Sequence, residues 1–147
     1  MSAEPAFYFD SSALTNIYVA EPESQLVERF LQSGGQGICS TLAQAEFASM
    51  LHRKVREGTP AVFAEEVWEA FQRDLRISAL LPVETSAEDI RHSVFLLREY
   101  GTKHPLRTLD AIHLATARNF GVTRFLTFDA RQRTVAALMG FELPVLK

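Results

Sequence analysis

A single cysteine, Cys39, leaves this chain no intrachain disulfide framework and no cysteine-rich zinc site, and it suits a reducing compartment. Glycine and proline are scarce as well, at seven and six, and charged residues make up an ordinary 22%, which together argue against wholesale disorder. No uninterrupted apolar run approaches the length of a membrane span. The opening "MSAEP" is acidic and is not followed by a basic residue and a long apolar stretch, so no signal peptide is expected. A cytoplasmic protein without membrane contact is the expectation. A basic excess is missing too: 15 Lys and Arg stand against 18 Asp and Glu, for a net charge of −3. That gives no support for a broad surface gripping nucleic acid by charge alone, and it leaves room for a local basic groove.

What the chain does hold is apolar bulk. Hydrophobic residues make up 47% of its 147 positions, and eleven are phenylalanine, enough for one real core, so residues 1–147 are expected to form one domain. The unbroken aromatic run "AFYF" at 6–9 reads as a buried strand. Ser11 or Ser12 is a candidate cap for a short helix through "ALTNIY", and Pro22 suits the start of a second helix, "EPESQLVERFLQS". "ICS" at 38–40 reads as a strand, followed by a helix from Thr41, its candidate cap, with Leu42, Ala45, Glu46, Ser49 and Met50 near one face. "AVFAEEVWEAFQRDLR" reads as an amphipathic helix carrying Val62, Val67, Trp68 and Phe71. "ALLPV" at 79–83 reads as a strand, and Ser86 opens a helix with a stripe of Ile90, Val94 and Leu97. An alanine-rich helix over 109–121, a strand "TRFLTF" at 123–128, a helix "ARQRTVAALMG" and an edge strand "ELPV" complete the chain. Strands alternating with helices predict an α/β fold, with a mainly parallel sheet flanked by helices on both faces.

Two strand ends carry the same signature, "FYFD" ending at Asp10 and "FLTFD" ending at Asp129. In a parallel sheet the carboxyl ends of the strands share one edge, so two residues separated by more than a hundred others can meet there. Taken singly, each aspartate reads more simply as a helix cap. Glu46, in the second turn of its helix, and Asp110, at the start of "LDAIHLATA", are placed to face the same edge. Converging carboxylates repel one another, and a divalent cation with a taste for hard oxygen ligands, Mg²⁺ or Mn²⁺, resolves the repulsion. Such an ion can activate water, offset charge on a phosphate oxygen and orient a leaving group.

The stretches "YFDSSALTNIYVAE" at 8–21, the helical Glu46, "LRTLDAIHLATA" at 106–117 and "TFD" at 127–129 resemble a PIN domain, in the variety of the VapC-type ribonuclease toxins of VapBC toxin–antitoxin pairs. The resemblance covers essentially the whole chain, and "LDAIHLA" is its most specific phrase. It implies a PIN-like three-layer α/β/α fold. It carries the family's acidic set onto Asp10, Glu46, Asp110 and Asp129, which would be catalytic and would hold the metal directly or through water. Ser11 and Thr127 match the supporting hydroxyl positions. The implied activity is Mg²⁺- or Mn²⁺-dependent endonucleolytic hydrolysis of RNA, leaving a 3′-hydroxyl and a 5′-phosphate. The implied partners are the RNA, a cognate VapB-type antitoxin and a second copy in a homodimer. A solitary RNA-processing nuclease of the same type, or a non-catalytic PIN-like interaction module, are the alternatives.

Other chemistries find less support. A haloacid-dehalogenase-type phosphotransferase needs a second aspartate two positions after the first, where this chain has Ser12. His113, one turn after Asp110, reads as a structural, hydrogen-bonded imidazole. Arg107 and Arg131 are candidate RNA contacts, with "HRKVR" at 52–56 a further basic stretch. Trp68 and Phe71 read as core or partner-facing rather than as a platform for stacked bases.

Overall fold

A computed structural model describes residues 6–19, 32 and 34–144. The expected helix "EPESQLVERFLQS" falls outside the described residues. The elements run β1 (Ala6–Phe9), α1 (Ser11–Tyr18), β2 (Gln36–Ser40), α2 (Thr41–Arg56), α3 (Ala61–Arg76), β3 (Leu80–Val83), α4 (Ala87–Tyr100), α5 (Thr108–Phe120), β4 (Arg124–Leu126) and α6 (Ala130–Leu138). The four strands form one all-parallel sheet in the order β3-β2-β1-β4, which puts β1 inside the sheet. Among the described residues, no helix is long and apolar enough to cross a membrane.

Side chains alternate across a strand, and the alternation divides the core in two. Phe7 and Phe9 of β1, Cys39 of β2, Leu80 of β3 and Leu126 of β4 pack against Leu14 of α1, Phe47 and Leu51 of α2, and Val67 and Phe71 of α3. On the other face, Tyr8, Ile38 and Phe125 pack against Leu96, Leu114 and Val135 of α4, α5 and α6. The three layers are those of a helix–sheet–helix sandwich. Gly37 is what lets β2 lie flat on the first core: a Cβ there would stand 2.6 Å from both Phe9 and Leu80.

Helix α5 is buried almost all round, from Asp110 to Ala117, because α4 covers the side turned away from the sheet. Its alanines allow the close approach. Gly121, in the left-handed conformation, ends it by donating its N–H to Ala117 and Arg118.

Several sequence expectations need correction. The expected stripe on α4 holds only at Leu97, which packs against the second core: Ile90 and Val94 are exposed, and Asp89, Ser93 and Leu96 turn inward. The inward polar groups are satisfied, since Ser93 donates to the Ile90 carbonyl at 2.6 Å and Asn119 of α5 donates to Asp89 at 2.8 Å. On α2 the buried face is Ala43, Phe47 and Leu51, which leaves Glu46 at its margin. Val62 of α3 is exposed. The helix caps differ as well: Asp10 caps α1, and Ser40 rather than Thr41 caps α2, while Thr41 accepts instead from the Thr85 amide at 2.9 Å. Strand β4 stops at Leu126, opposite Phe9, because β1 gives way there to the cap of α1. The expected "ELPV" strand reduces to a single bridge between Glu142 and Arg124; its Val145 lies outside the described residues.

Ser86 opens α4 as expected, in a capping box. Its hydroxyl accepts from the Asp89 amide at 3.1 Å, and Asp89 accepts from the Ser86 amide at 3.0 Å. Burial works against the Asp89 carboxylate, but the bonds from the Ser86 amide and Asn119 outweigh it and hold its pKa below the ordinary value. A depressed carboxylate contributes stability above the unfolded pKa and loses it as pH falls through the lower, folded value. Asp89→Ala is therefore expected to lose about 1–3 kcal/mol at neutral pH. Urea unfolding should show the difference from wild type narrowing in strong acid. A difference unchanged by acid would contradict this account.

Candidate active site

The carboxyl edge of the sheet gathers the acidic residues by ordinary local rules. Asp10 follows β1 and is buried. One oxygen, Oδ1, caps α1 by accepting from the Ala13 amide at 3.0 Å, and accepts from Ser12 Oγ at 2.6 Å. The other accepts a short hydrogen bond from Thr127 Oγ1, from the segment after β4. Desolvation raises the Asp10 pKa above its ordinary value, and His113, Ser12, Thr127 and the Ala13 amide only partly offset it.

Thr127 and Ser12 lace the two strand ends together. Phe128 donates its N–H to Ser12 Oγ at 2.9 Å, and Asp129 donates its N–H to Thr127 Oγ1 at 3.1 Å. Backbone donors that would have continued β4 are spent on hydroxyls, which turns the chain so that Asp129 caps α6. Asp129 Oδ1 accepts from the amides of Arg131 and Gln132 at 2.9 and 3.2 Å. The hydroxyl that meets Asp10 beside it in sequence is Ser12's, whereas Ser11 lines the neighbouring groove.

Asp110, in the first turn of α5, is buried and accepts from the Arg107 amide at 3.2 Å. The exposed Arg107 guanidinium lies between two acids, 3.7 Å from Asp110 and 3.7 Å from Asp129. Arg131 also stands 3.7 Å from Asp129. Both arginines thus sit on the carboxylates themselves. Gln132 of α6, fully buried, donates to the Asp110 carbonyl at 3.2 Å and ties α6 to α5.

Glu46 is held differently. Its carboxylate meets His113 Nε2 in a short hydrogen bond. His113 Nδ1 lies 2.7 Å from the Tyr8 hydroxyl, which donates to Ser40 Oγ at 2.8 Å. Ser40 in turn caps α2 at the Ala43 amide, 3.1 Å away. Burial pushes the Tyr8 hydroxyl well above the usual phenol range, so it stays neutral. The sequence marks His113 only by its position three residues after Asp110. Nothing in the sequence pairs it with Glu46, Tyr8 and Ser40.

Beside these acids a groove of about 470 Å³ opens between α1 and α2. Ser11, Ser12 and Glu46 line one part, and Arg53, Lys54 and Arg56 another. The basic stretch of α2 thus stands along the same groove as Glu46.

Four carboxylates with two hydroxyls are the oxygen-rich donor set that a hard divalent cation takes. The raised pKa of buried Asp10 marks a negative charge with too little compensation, which a cation would supply. The residues fit such an ion in kind. They do not form a closed cage: among the described residues no three His, Cys, Asp or Glu side chains are grouped to hold an ion.

A three-layer parallel α/β fold with acids from β1, α2, α5 and the end of β4 at one edge defines a class, and comparison with known proteins names it. Residues 7–138 match the PIN domain family, and the chain belongs to that family. It is 36% identical over 137 residues to Ribonuclease VapC46 of Mycobacterium tuberculosis, covering 92% of this chain and 93% of that one. It is 31% identical to Ribonuclease VapC49 of the same species over 142 residues, 92% of each chain. Among solved structures, the sarcin–ricin-loop-cleaving toxin VapC20 of M. tuberculosis superposes with a TM-score of 0.69 at 16% identity, over 92% of this chain and 96% of the other. DNA-bound VapBC from Salmonella typhimurium superposes with a TM-score of 0.68 at 18% identity, over 95% and 97%.

Proposed function

We propose that this protein is a metal-dependent endoribonuclease, the toxin of a VapBC-type pair, hydrolysing RNA phosphodiester bonds at the edge where Asp10, Glu46, Asp110 and Asp129 gather. The observation that carries the reading is the arrangement at that edge: buried Asp10 at the end of the inner strand, laced by Thr127 and Ser12 to the segment that carries Asp129. Full-length similarity to proteins named as VapC ribonucleases supports it.

Asp10, Asp110 and Asp129, with Glu46 directly or through water, would hold Mg²⁺ or Mn²⁺. When bound, such an ion supplies an activated water and offsets charge on the scissile phosphate. The chain's own residues do the rest. Arg53, Lys54 and Arg56 draw a phosphate backbone along the α1–α2 groove, which compensates locally for the net charge of −3. Ser12 and Thr127 fix both oxygens of Asp10. The backbone amides of α6 fix Asp129. Arg107 lies 3.7 Å from both Asp110 and Asp129 and would be free to turn to a phosphate once a cation takes over that charge.

The solved VapBC complexes also suggest a partner for this chain, a VapB-type antitoxin; a second copy in a homodimer belongs to the same reading. The cleft between α2 and α3, lined by Leu51, Val55, Ala64 and Trp68 together with His52 and Glu65, offers a seat for an antitoxin helix.

The test is incubation of the purified protein with defined tRNA, rRNA and mRNA pools and Mg²⁺ or Mn²⁺, followed by mapping of the product ends. Internal cuts bearing 3′-hydroxyl and 5′-phosphate ends, abolished by excess EDTA, are expected. Cleavage undiminished by EDTA would overturn the metal-dependent reading.

A further inference from the structure

We propose that His113 is a positioning residue for Glu46, and that the buried chain Ser40–Tyr8–His113–Glu46 sets the spacing of three of the four acids; the proposal rests on the metal-site reading above. Asp10, Asp110 and Asp129 are each fixed by backbone amides, at the starts of α1, α5 and α6. Amides at a helix start have no helical partner and are available for this. Glu46 sits inside α2, where the amides are already committed to helical carbonyls. Its carboxylate needs a side-chain donor, and His113 is the group that meets it.

The imidazole can do this because its own orientation is fixed. It is almost fully buried, and its second nitrogen is engaged by Tyr8. The Tyr8 ring is locked in turn, edge-on to His113 at 5.7 Å and stacked on Phe125 at 5.1 Å. Around His113 on α5 stand Ala111, Leu114 and Ala115, an apolar setting in which an imidazole is a costly choice unless both nitrogens are used.

The path of the chain shows what it measures. It begins at the cap of α2, crosses to β1 two residues before Asp10, continues to α5 three residues after Asp110, and returns to α2 at Glu46. The closed circuit therefore fixes the distances among the elements that carry those three carboxylates. Asp129 is added through Thr127 and Arg107.

The experiment is Mn²⁺ binding to the full chain, followed by electron paramagnetic resonance of the free ion, with thermal unfolding in parallel. His113→Ala is expected to weaken Mn²⁺ about tenfold or more, as loss of a group that orients a ligand does. His113→Gln, which keeps an amide donor within reach of Glu46, is expected to recover most of that loss. Tyr8→Phe retains the ring packing and releases Nδ1, so it should weaken Mn²⁺ by a smaller factor in a fully folded chain. If His113→Ala fails to fold, these two variants carry the test. Adding Glu46→Gln to a His113 variant should bring little further loss, because both act through one carboxylate. Unchanged Mn²⁺ affinity in the His113 variants overturns the proposal. So does a Gln variant no better than Ala, which would mean that a donor to Glu46 is not what His113 supplies, and so do fully additive losses with Glu46→Gln. A wild-type chain that binds no Mn²⁺ overturns the functional reading and this proposal with it, whereas normal wild-type binding that survives in the His113 variants overturns this proposal alone.

Discussion

Asp10→Asn is expected to lower RNA cleavage by about a hundred- to a thousandfold while leaving the chain folded and, in EDTA, more stable than wild type at neutral pH. The loss follows from removing a negative charge at the inner strand end, where both carboxylate oxygens are already oriented by Ser12, Thr127 and the Ala13 amide. The fold should survive because Asn caps a helix about as well as Asp. The gain in stability follows from the raised Asp10 pKa. Burial makes the folded chain keep this proton at pH values where the unfolded chain, with its ordinary value of 3.8, has released it. The folded state then binds more protons, so stability falls as pH rises from 3.8 through the folded pKa, and the full penalty persists above it. Asn has no such penalty. Thermal unfolding in EDTA should show the variant ahead at neutral pH and the gap closing in acid, while added Mn²⁺ should stabilise wild type and not the variant. Wild-type rates of cleavage in Asp10→Asn would remove Asp10 from the site.

Phe47→Ala is expected to cost about 3–5 kcal/mol, a large share of the roughly 5–15 kcal/mol that holds a domain of this kind. Phe47 is fully buried at the centre of an aromatic cluster, with ring centroids 5.0 Å from Phe71, 5.8 Å from Tyr18 and 6.3 Å from Trp68. It joins α1, α2 and α3 on one face of the sheet, and it is the residue after Glu46, so the seat of α2 depends on it. Truncation removes the transfer energy of the ring and leaves a cavity that rigid neighbours fill poorly. Urea unfolding measures the loss. Phe47→Leu, which keeps most of the volume, should lose much less. A loss below about 1 kcal/mol for the alanine variant would mean that the cluster does not anchor the helices.

The elements that the sequence made legible are those where one local signal was unambiguous. "AFYF" has a single structural use, a strand inside the sheet with both faces covered. "LDAIHLATA" is helical by composition and buried by its alanines. Both strand-end aspartates lie where the parallel topology puts them. What was not legible was the rotation of a helix about its axis. On α4 the residues Ile90 and Val94 and the residues Ser93 and Leu96 make overlapping stripes, and periodicity cannot choose between them. The choice falls on the stripe with polar members because Asn119 answers Asp89, and Asn119 comes from another helix, 30 residues on. The same limit applied to Glu46, whose place at the margin of the buried face lets it reach His113, 67 residues away. Arg107 and Arg131 were legible as basic residues near the site, but not their contacts with Asp110 and Asp129.

The strand order also sets a timetable. The chain emerges from synthesis in the order β1, β2, β3, β4, yet β4 docks beside β1, and Thr127 and Asp129 follow it. Until that late stretch is made, β1 lacks its neighbour on one side, Asp10 lacks the hydroxyl that grips its second oxygen, and the acidic edge is one member short. The acidic edge of this fold is therefore complete only once the stretch through Asp129 has been made and β4 has docked beside β1.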